Sequence, residues 1–299
     1  MGMLVEGVWK DISRQNAAGA FVRPDAAFRS AISRDGPYPP EAGRYCLYVS
    51  RACPWAHRTL IVRALKGLEK AIPAFYADPT MAENGWEFKD GGFRYLHQLY
   101  SQAKPGYTGR VSVPVLWDTR TRSIVNNESS EIIRMLNREF DAFATRRLHD
   151  LYPAALRKEI DAVNERVYRT LNNGVYRAGF ATAQDKYEQA VGELFKTLDW
   201  LEKRLARRSW LCGPRLTEAD VRLFTTLVRF DAVYYGHFKC NLKRLVDFPR
   251  LWRFTRRFYA LRGVAGTVDI AEIKAHYYRS QKQVNPTQIV PKGPLLSFT

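Results

Sequence analysis

The sequence predicts a small α/β domain followed by an all-helical one. Three observations carry that reading. A β-favouring apolar run, Arg44–Tyr45–Cys46–Leu47–Tyr48–Val49, passes through a tight loop into a helical pattern from Trp55 to Leu68. The other β-prone segments lie before Asn127, and from about Pro153 onward no stretch has convincing strand character. Helical periodicity then recurs four times, and no internal repeat is present.

Taken in order, the first forty residues end in Pro37–Tyr38–Pro39–Pro40 and read as an irregular arm. Pro54 suits a first helical turn, because its missing N–H costs nothing there, so the helix starts at Pro54 and Cys53 falls at or near its N-cap. Ala71 to Tyr76 has the composition of a second strand. Residues 77–109 are polar, aromatic and glycine-containing, an excursion holding a short helix. Val111 to Trp117 reads as a strand with Pro114 inside it, which places that proline at an edge or an irregular point. Ser123–Ile124–Val125 resumes strand character, and Asn127–Glu128–Ser129–Ser130 opens a helix through Leu136. This β-α-β then β-β-α order is the thioredoxin-like arrangement. Further helices are expected over Leu156–Leu171, Lys186–Leu205, Thr217–Tyr234 and Leu251–Leu261, with Thr217 and Asp220 at capping-box spacing. After Tyr278, Pro286, Pro291 and Pro294 mark an extended tail. The expected organisation is an arm over 1–40, a thioredoxin-like domain over 41–145 and a helical domain with its tail over 146–299.

Composition narrows the function classes. The chain has 46% hydrophobic and 26% charged residues, as ordinary globular proteins do. No apolar run approaches the ~18 residues of a membrane span, and Met1 to Arg23 has no charged start followed by an apolar stretch, so a cytoplasmic address is expected. Glu6 stands where a myristoylation motif wants Ser or Thr. The four cysteines, Cys46, Cys53, Cys212 and Cys240, form no C-x-x-C pair, and the five histidines are dispersed, so neither a disulfide framework nor a metal site is expected. The net charge of +17 raises nucleic acid as a partner. The arginines are spread along the chain, however. Sets such as Arg204, Arg207 and Arg208, or Arg253, Arg256 and Arg257, look like solvated faces of amphipathic helices. A positive field also attracts small anionic substrates.

The candidate for chemistry is Cys53. Covalent thiol chemistry uses the thiolate, and a free thiol with a pKa of ~8.5 is only slightly ionised at neutral pH. A helix N-terminus favours the anion through its unpaired peptide N–H groups and the helix dipole. Arg51 and Arg58 add positive potential nearby. The alternative for a single cysteine is a buried structural thiol, which is the expectation for Cys46, Cys212 and Cys240. Ala56 stands where a second cysteine of a redox pair would be, so the resolving thiol comes from outside, and a monothiol mechanism using glutathione follows. His57 lies one turn beyond Cys53 and is either a base or a packed polar residue. A glutathione site in such a domain needs a backbone edge, which the strand before a cis proline supplies. Val113–Pro114 has that form, as does a trans proline on an edge strand. It also needs groups for the γ-glutamyl end. Glu128 and Ser129 at a helix start offer a carboxylate, a hydroxyl and helix N–H groups, although an ordinary N-cap has the same sequence.

Longer strings carry a resemblance. Ser50–Arg51–Ala52–Cys53–Pro54–Trp55–Ala56–His57–Arg58–Thr59 resembles the active-site signature of the glutathionyl-hydroquinone reductases, the Xi class of glutathione transferases. The likeness continues through residues 109–118 and 124–132, Asn172–Asn173–Gly174–Val175–Tyr176, His276–Tyr277–Tyr278–Arg279–Ser280 and Asn285–Pro286, nearly the whole chain in order. It implies the glutathione transferase architecture, a homodimer, no metal, and reduction of glutathionyl-hydroquinones by glutathione. Carried over by position, it implies that Cys53 is catalytic and passes through a mixed disulfide with glutathione. Trp86, Arg110, Val113, Glu128 and Ser129 would hold glutathione. Tyr176 and Tyr277 would face the hydroquinone, with Tyr278 the neighbouring choice for the second. The competing readings are an omega-like thioltransferase or dehydroascorbate reductase using the same sulfur, and a basic, non-catalytic binding module.

Overall fold

The computed structural model describes residues 2–11, 19, 21 and 25–298. These residues form two compact units. The first holds the N-terminal strands, the chain through His149 and the segment Gly266–His276. The second holds Asp150–Ala265 and the chain from Tyr277.

The first unit is built on a four-stranded sheet in the order β4-β3-β6-β7. Strand β3 (Tyr45–Val49) is buried at all five positions, as a central strand should be. It pairs in parallel with β4 (Ala74–Tyr76) and antiparallel with β6 (Val115–Asp118). Strand β7 (Ser123–Asn126) closes the far edge on β6. Helix α1 (Pro54–Lys66) starts at its proline and stops at Gly67, whose φ of +65° is the left-handed conformation glycine tolerates best. Gly67 and Leu68 N–H then donate to the Ala64 and Arg63 carbonyls. Helix α1 packs on α3 (Ser129–Arg138), and α2 (Leu96–Ala103) lies against β7. The thioredoxin-like order expected for this part of the chain is the order observed.

Three local readings are corrected. The first forty residues are not wholly irregular: β1 (Met3–Val5) and β2 (Val8–Lys10) form a hairpin that pairs with β5 (Gly109–Arg110). Its turn is the two-residue step Glu6–Gly7, with φ of +50° and +79°. Residues 12–18, 20 and 22–24 of the expected arm lie outside the described residues. Val111 to Trp117 is not one strand, because Pro114 cannot donate to the ladder and β6 begins only after it. Two helices had no counterpart in the periodicity: α5 (Gly174–Gly179), too short to show a period, and α9 (Ile270–Ser280).

The second unit is helical. Helix α4 (Arg157–Val167) runs through a π turn over Tyr168–Asn172 into α5, which packs on α6 (Gln184–Arg204). Helix α7 (Glu218–Arg229) is started by the Thr217–Asp220 capping box. The buried Asp220 carboxylate accepts the N–H groups of Thr217 and Leu211 at 2.8 Å each. Helix α8 (Pro249–Tyr259) has proline in its first turn, and the Glu202 carboxylate accepts the Arg250 and Leu251 N–H groups. Among the described residues the tail beyond α9 has no helix or strand, and Phe298 is buried against Trp252 and Tyr259.

Gly266–His276 groups with the first unit for reasons visible in its contacts. Thr267 hydrogen-bonds His57, Glu272 pairs with Arg51, and the His276 ring stacks on Trp86 at 4.8 Å.

Candidate active site

Strand β3 delivers the chain to a four-residue turn, Ser50 to Cys53, in which the Cys53 N–H donates to the Ser50 carbonyl at 3.2 Å. Cys53 is the N-cap of α1, with extended φ and ψ of −77° and 119°, and its carbonyl accepts the His57 N–H at 2.9 Å. The first-turn peptide N–H groups of α1 therefore open toward the end of the helix that carries the sulfur. The side chain is half-buried, and its Sγ lies 3.6 Å from the Val113 carbonyl oxygen. The other three cysteines are buried. Burial pushes the Cys46 thiol up to about 12 and the Cys212 thiol to about 11, and it raises Cys240 further.

The polar neighbours of Cys53 have partners of their own. Arg51 donates to Glu272 at 2.9 Å and lies over the Tyr76 ring at 4.1 Å. Arg58 is buried, stacks on Trp55 at 4.3 Å and donates to the Ser129 hydroxyl at 3.3 Å, tying α1 to the start of α3. His57 is fully buried, with Nε2 2.8 Å from the Thr267 hydroxyl, the packing of a polar core residue.

The Val113–Pro114 peptide is cis. Of the residues expected to hold glutathione, Val113 stands at the sulfur, and Glu128 and Ser129 stand at the start of α3. The Glu128 carboxylate accepts the Ser130 N–H at 2.9 Å and its hydroxyl at 2.8 Å, so it serves as the N-cap of α3. Trp86 is buried and stacked on His276, whose Nδ1 donates to the Pro79 carbonyl at 2.9 Å. Arg110 lies on β5, where Met3 is its partner in the register. The sequence reading passed over Tyr100. Its buried hydroxyl donates to the Ser112 carbonyl at 2.7 Å and accepts from Asn127 Nδ2 at 2.9 Å. It thus fastens the segment before Val113 to the residue before Glu128.

The second unit holds the two expected tyrosines together. The Tyr176 and Tyr277 hydroxyls are 2.6 Å apart, and Tyr234 adds a third hydroxyl 3.1 Å from Tyr277. Burial raises the Tyr234 and Tyr277 phenols well above 10, so both stay protonated donors at any physiological pH. Tyr278, the neighbouring choice, sits edge-on to His237 instead. Tyr234 belongs to a π turn after α7 (Phe230–Tyr234), and no motif marks it.

Comparison with known proteins is consistent along the whole length. Residues 52–139 match the glutathione S-transferase N-terminal domain and residues 184–257 the C-terminal domain. A glutathionyl-hydroquinone reductase, PcpF of Sphingobium chlorophenolicum, is 53% identical across 98% of this chain and 96% of its own. A Xi-class glutathione transferase from Natrialba magadii superposes with a TM-score of 0.92 at 47% identity, covering 100% of this chain and 94% of that one. The glutathione-bound structure of YqjG from Escherichia coli superposes with a TM-score of 0.89 at 46% identity, over 99% and 97% of the two chains.

Proposed function

The chain belongs to the Xi class of the glutathione S-transferase family, the glutathionyl-hydroquinone reductases, and from that premise we propose that it reduces glutathionyl-hydroquinones with glutathione through Cys53. The observation that carries the reading is the sulfur itself. It is half-buried at the N-cap of α1, 3.6 Å from the Val113 carbonyl, and Ala56 occupies the position of any resolving cysteine.

The Cys53 thiolate attacks the glutathionyl sulfur of the substrate. An S–S bond forms, the bond from sulfur to the aromatic ring breaks, and the electron pair passes to the ring carbon, which takes a proton. The free hydroquinone leaves. A second glutathione, as thiolate, attacks the mixed disulfide and departs as glutathione disulfide, regenerating Cys53. One glutathione thiol and the glutathionyl sulfur released from the ring end as one disulfide, and the ring is reduced by the same two electrons. Val113 offers backbone groups to the cysteinyl part of glutathione, and Glu128 and Ser129 receive its γ-glutamyl end at the start of α3. Trp86 and Arg110 complete that site. Tyr176 and Tyr277 donate phenolic protons to the hydroquinone. The resemblance adds a homodimer to this reading, and the expectation of a cytoplasmic address rests on the sequence. No described helix is long and apolar enough to cross a membrane.

The test is intact mass spectrometry after incubation with glutathionyl-menadiol. A single glutathione adduct mapped to Cys53, absent from Cys53→Ala, is the expected result. Substantial deglutathionylation by Cys53→Ala would remove the nucleophile assigned here. Turnover of dehydroascorbate exceeding that of the glutathionyl-hydroquinone would favour the thioltransferase reading instead.

A further inference from the structure

Four of the arginines that read in the sequence as two separate solvated helix faces, Arg207, Arg208, Arg253 and Arg257, meet in the second unit around one cavity. It lies where the end of α6 and the turn after it face the first turns of α8, and its volume is about 410 Å³, within the range of small-molecule sites. Arg207, Arg208, Arg250, Arg253 and Arg257 line it, together with the buried Phe254.

The partners of these side chains show an unbalanced charge. Arg208 is paired with Glu159, which also takes Arg204, and Arg250 is 3.5 Å from Glu202. Arg257 has neutral partners: it donates to the Ser209 carbonyl at 3.0 Å and lies over the Trp210 ring at 4.2 Å. Among the described residues, Arg207, Arg253 and Arg257 have no acidic partner. Three uncompensated guanidinium groups around one cavity repel one another and share a positive field. Guanidinium stays charged at every physiological pH and matches phosphate oxygens with paired donors. The bonds of Arg208, Arg250 and Arg257 hold three of the five in place beforehand, which lowers the entropic cost of binding. The N-terminus of α8 is already occupied by the Glu202 carboxylate, so the recognition groups are side chains.

We propose that this cavity binds a small ligand bearing two or three linked phosphate groups, at a site separate from the glutathione chemistry. Inorganic oligophosphate and a nucleoside triphosphate share that chemistry. The closing experiment is calorimetric titration of the whole protein with inorganic tripolyphosphate, with ATP and a twenty-residue oligonucleotide as parallel arms. One tripolyphosphate per chain is expected, with affinity at least tenfold weaker in the double variant R207A/R253A. Both side chains are exposed, so the variant should keep its melting temperature and its glutathione-dependent turnover. Tighter binding of ATP than of tripolyphosphate would identify a nucleotide ligand, and equal binding the phosphates alone; either supports the site. The proposal is overturned by no saturable binding, by several equivalents per chain, or by unchanged affinity in R207A/R253A. An oligonucleotide that displaces tripolyphosphate and binds far more tightly would also overturn it, since the surface would then serve a nucleic acid.

Discussion

Cys53 and the other three cysteines differ in one physical respect, which alkylation can read directly. Cys46, Cys212 and Cys240 are buried and their thiols are held protonated by that burial, whereas Cys53 is partly open at a helix start. Brief treatment of the native protein with iodoacetamide at pH 7 should therefore label Cys53 alone, as read by peptide mass mapping. Comparable labelling at Cys46 would mean that its burial does not protect that thiol and that the place of Cys53 at the start of α1 confers no selectivity. Neighbouring tyrosines separate in the same way. The Tyr277 hydroxyl is tied to Tyr176 and Tyr234, while Tyr278 packs against His237. Tyr277→Phe should lower kcat toward a glutathionyl-hydroquinone about a hundredfold, the lower end of the scale of a lost proton donor, with KM for glutathione unchanged. Tyr278→Phe should stay close to wild type. Equal loss in both variants would remove the distinction. Position counting alone separates these two residues in the sequence, and only the hydroxyl contacts assign them different surroundings.

At the scale of elements, the parts of the first unit proposed to hold glutathione are fastened by a residue with no motif. Tyr100 on α2 joins the Ser112 backbone to Asn127, and so couples the segment entering Val113 to the cap of α3. Tyr100→Phe removes one hydroxyl and leaves the Asn127 amide and the Ser112 carbonyl to find other partners, at a cost of about 1–3 kcal/mol. KM for glutathione should rise several-fold while alkylation of Cys53 stays unaltered. A stability loss with unchanged KM would show the fastening to be structural only. This residue also marks where sequence reading stops. The start of α1 was legible because Cys-Pro after an apolar strand is a local signal, and the Thr217–Asp220 box was legible for the same reason. The hairpin Met3–Lys10 was not, since three-residue strands carry too little alternation and the Glu6–Gly7 turn lacks the usual Asn or Asp before glycine. Helix α9 (Ile270–Ser280) was not legible because its eleven residues make only about three turns. Tyr100 and Tyr234 act through contacts far apart in sequence, on which periodicity is silent.

Over the whole molecule, 47 Lys and Arg residues stand against 30 Asp and Glu, so acid exposes an already positive chain to growing self-repulsion. The carboxylates do not all respond with the same sign. Burial lifts Asp220 to about 6 and raises Asp231. Those two bind protons more readily folded than unfolded, and their contribution grows as pH falls toward the ordinary carboxylate range. Asp118 behaves oppositely. Burial alone would raise it, but bonds from Arg44, the Arg120 N–H and Thr121 outweigh burial and hold it below its ordinary value. Its stabilisation is complete above the unfolded pKa near 4 and is lost as pH falls through the lower folded value. The pair is nearly inaccessible, with side chains 5% and 0% exposed, and it joins the start of β3 to the end of β6. Asp118→Asn should cost about 3 kcal/mol at pH 7, because it leaves the Arg44 guanidinium buried without its counter-charge. Urea unfolding from pH 7 to pH 2 should show the gap to wild type constant above about pH 5 and closing below pH 4. A gap that persists unchanged to pH 2 would mean that the carboxylate acts through its shape and hydrogen bonds, with its charge contributing nothing to the acid limit of this protein.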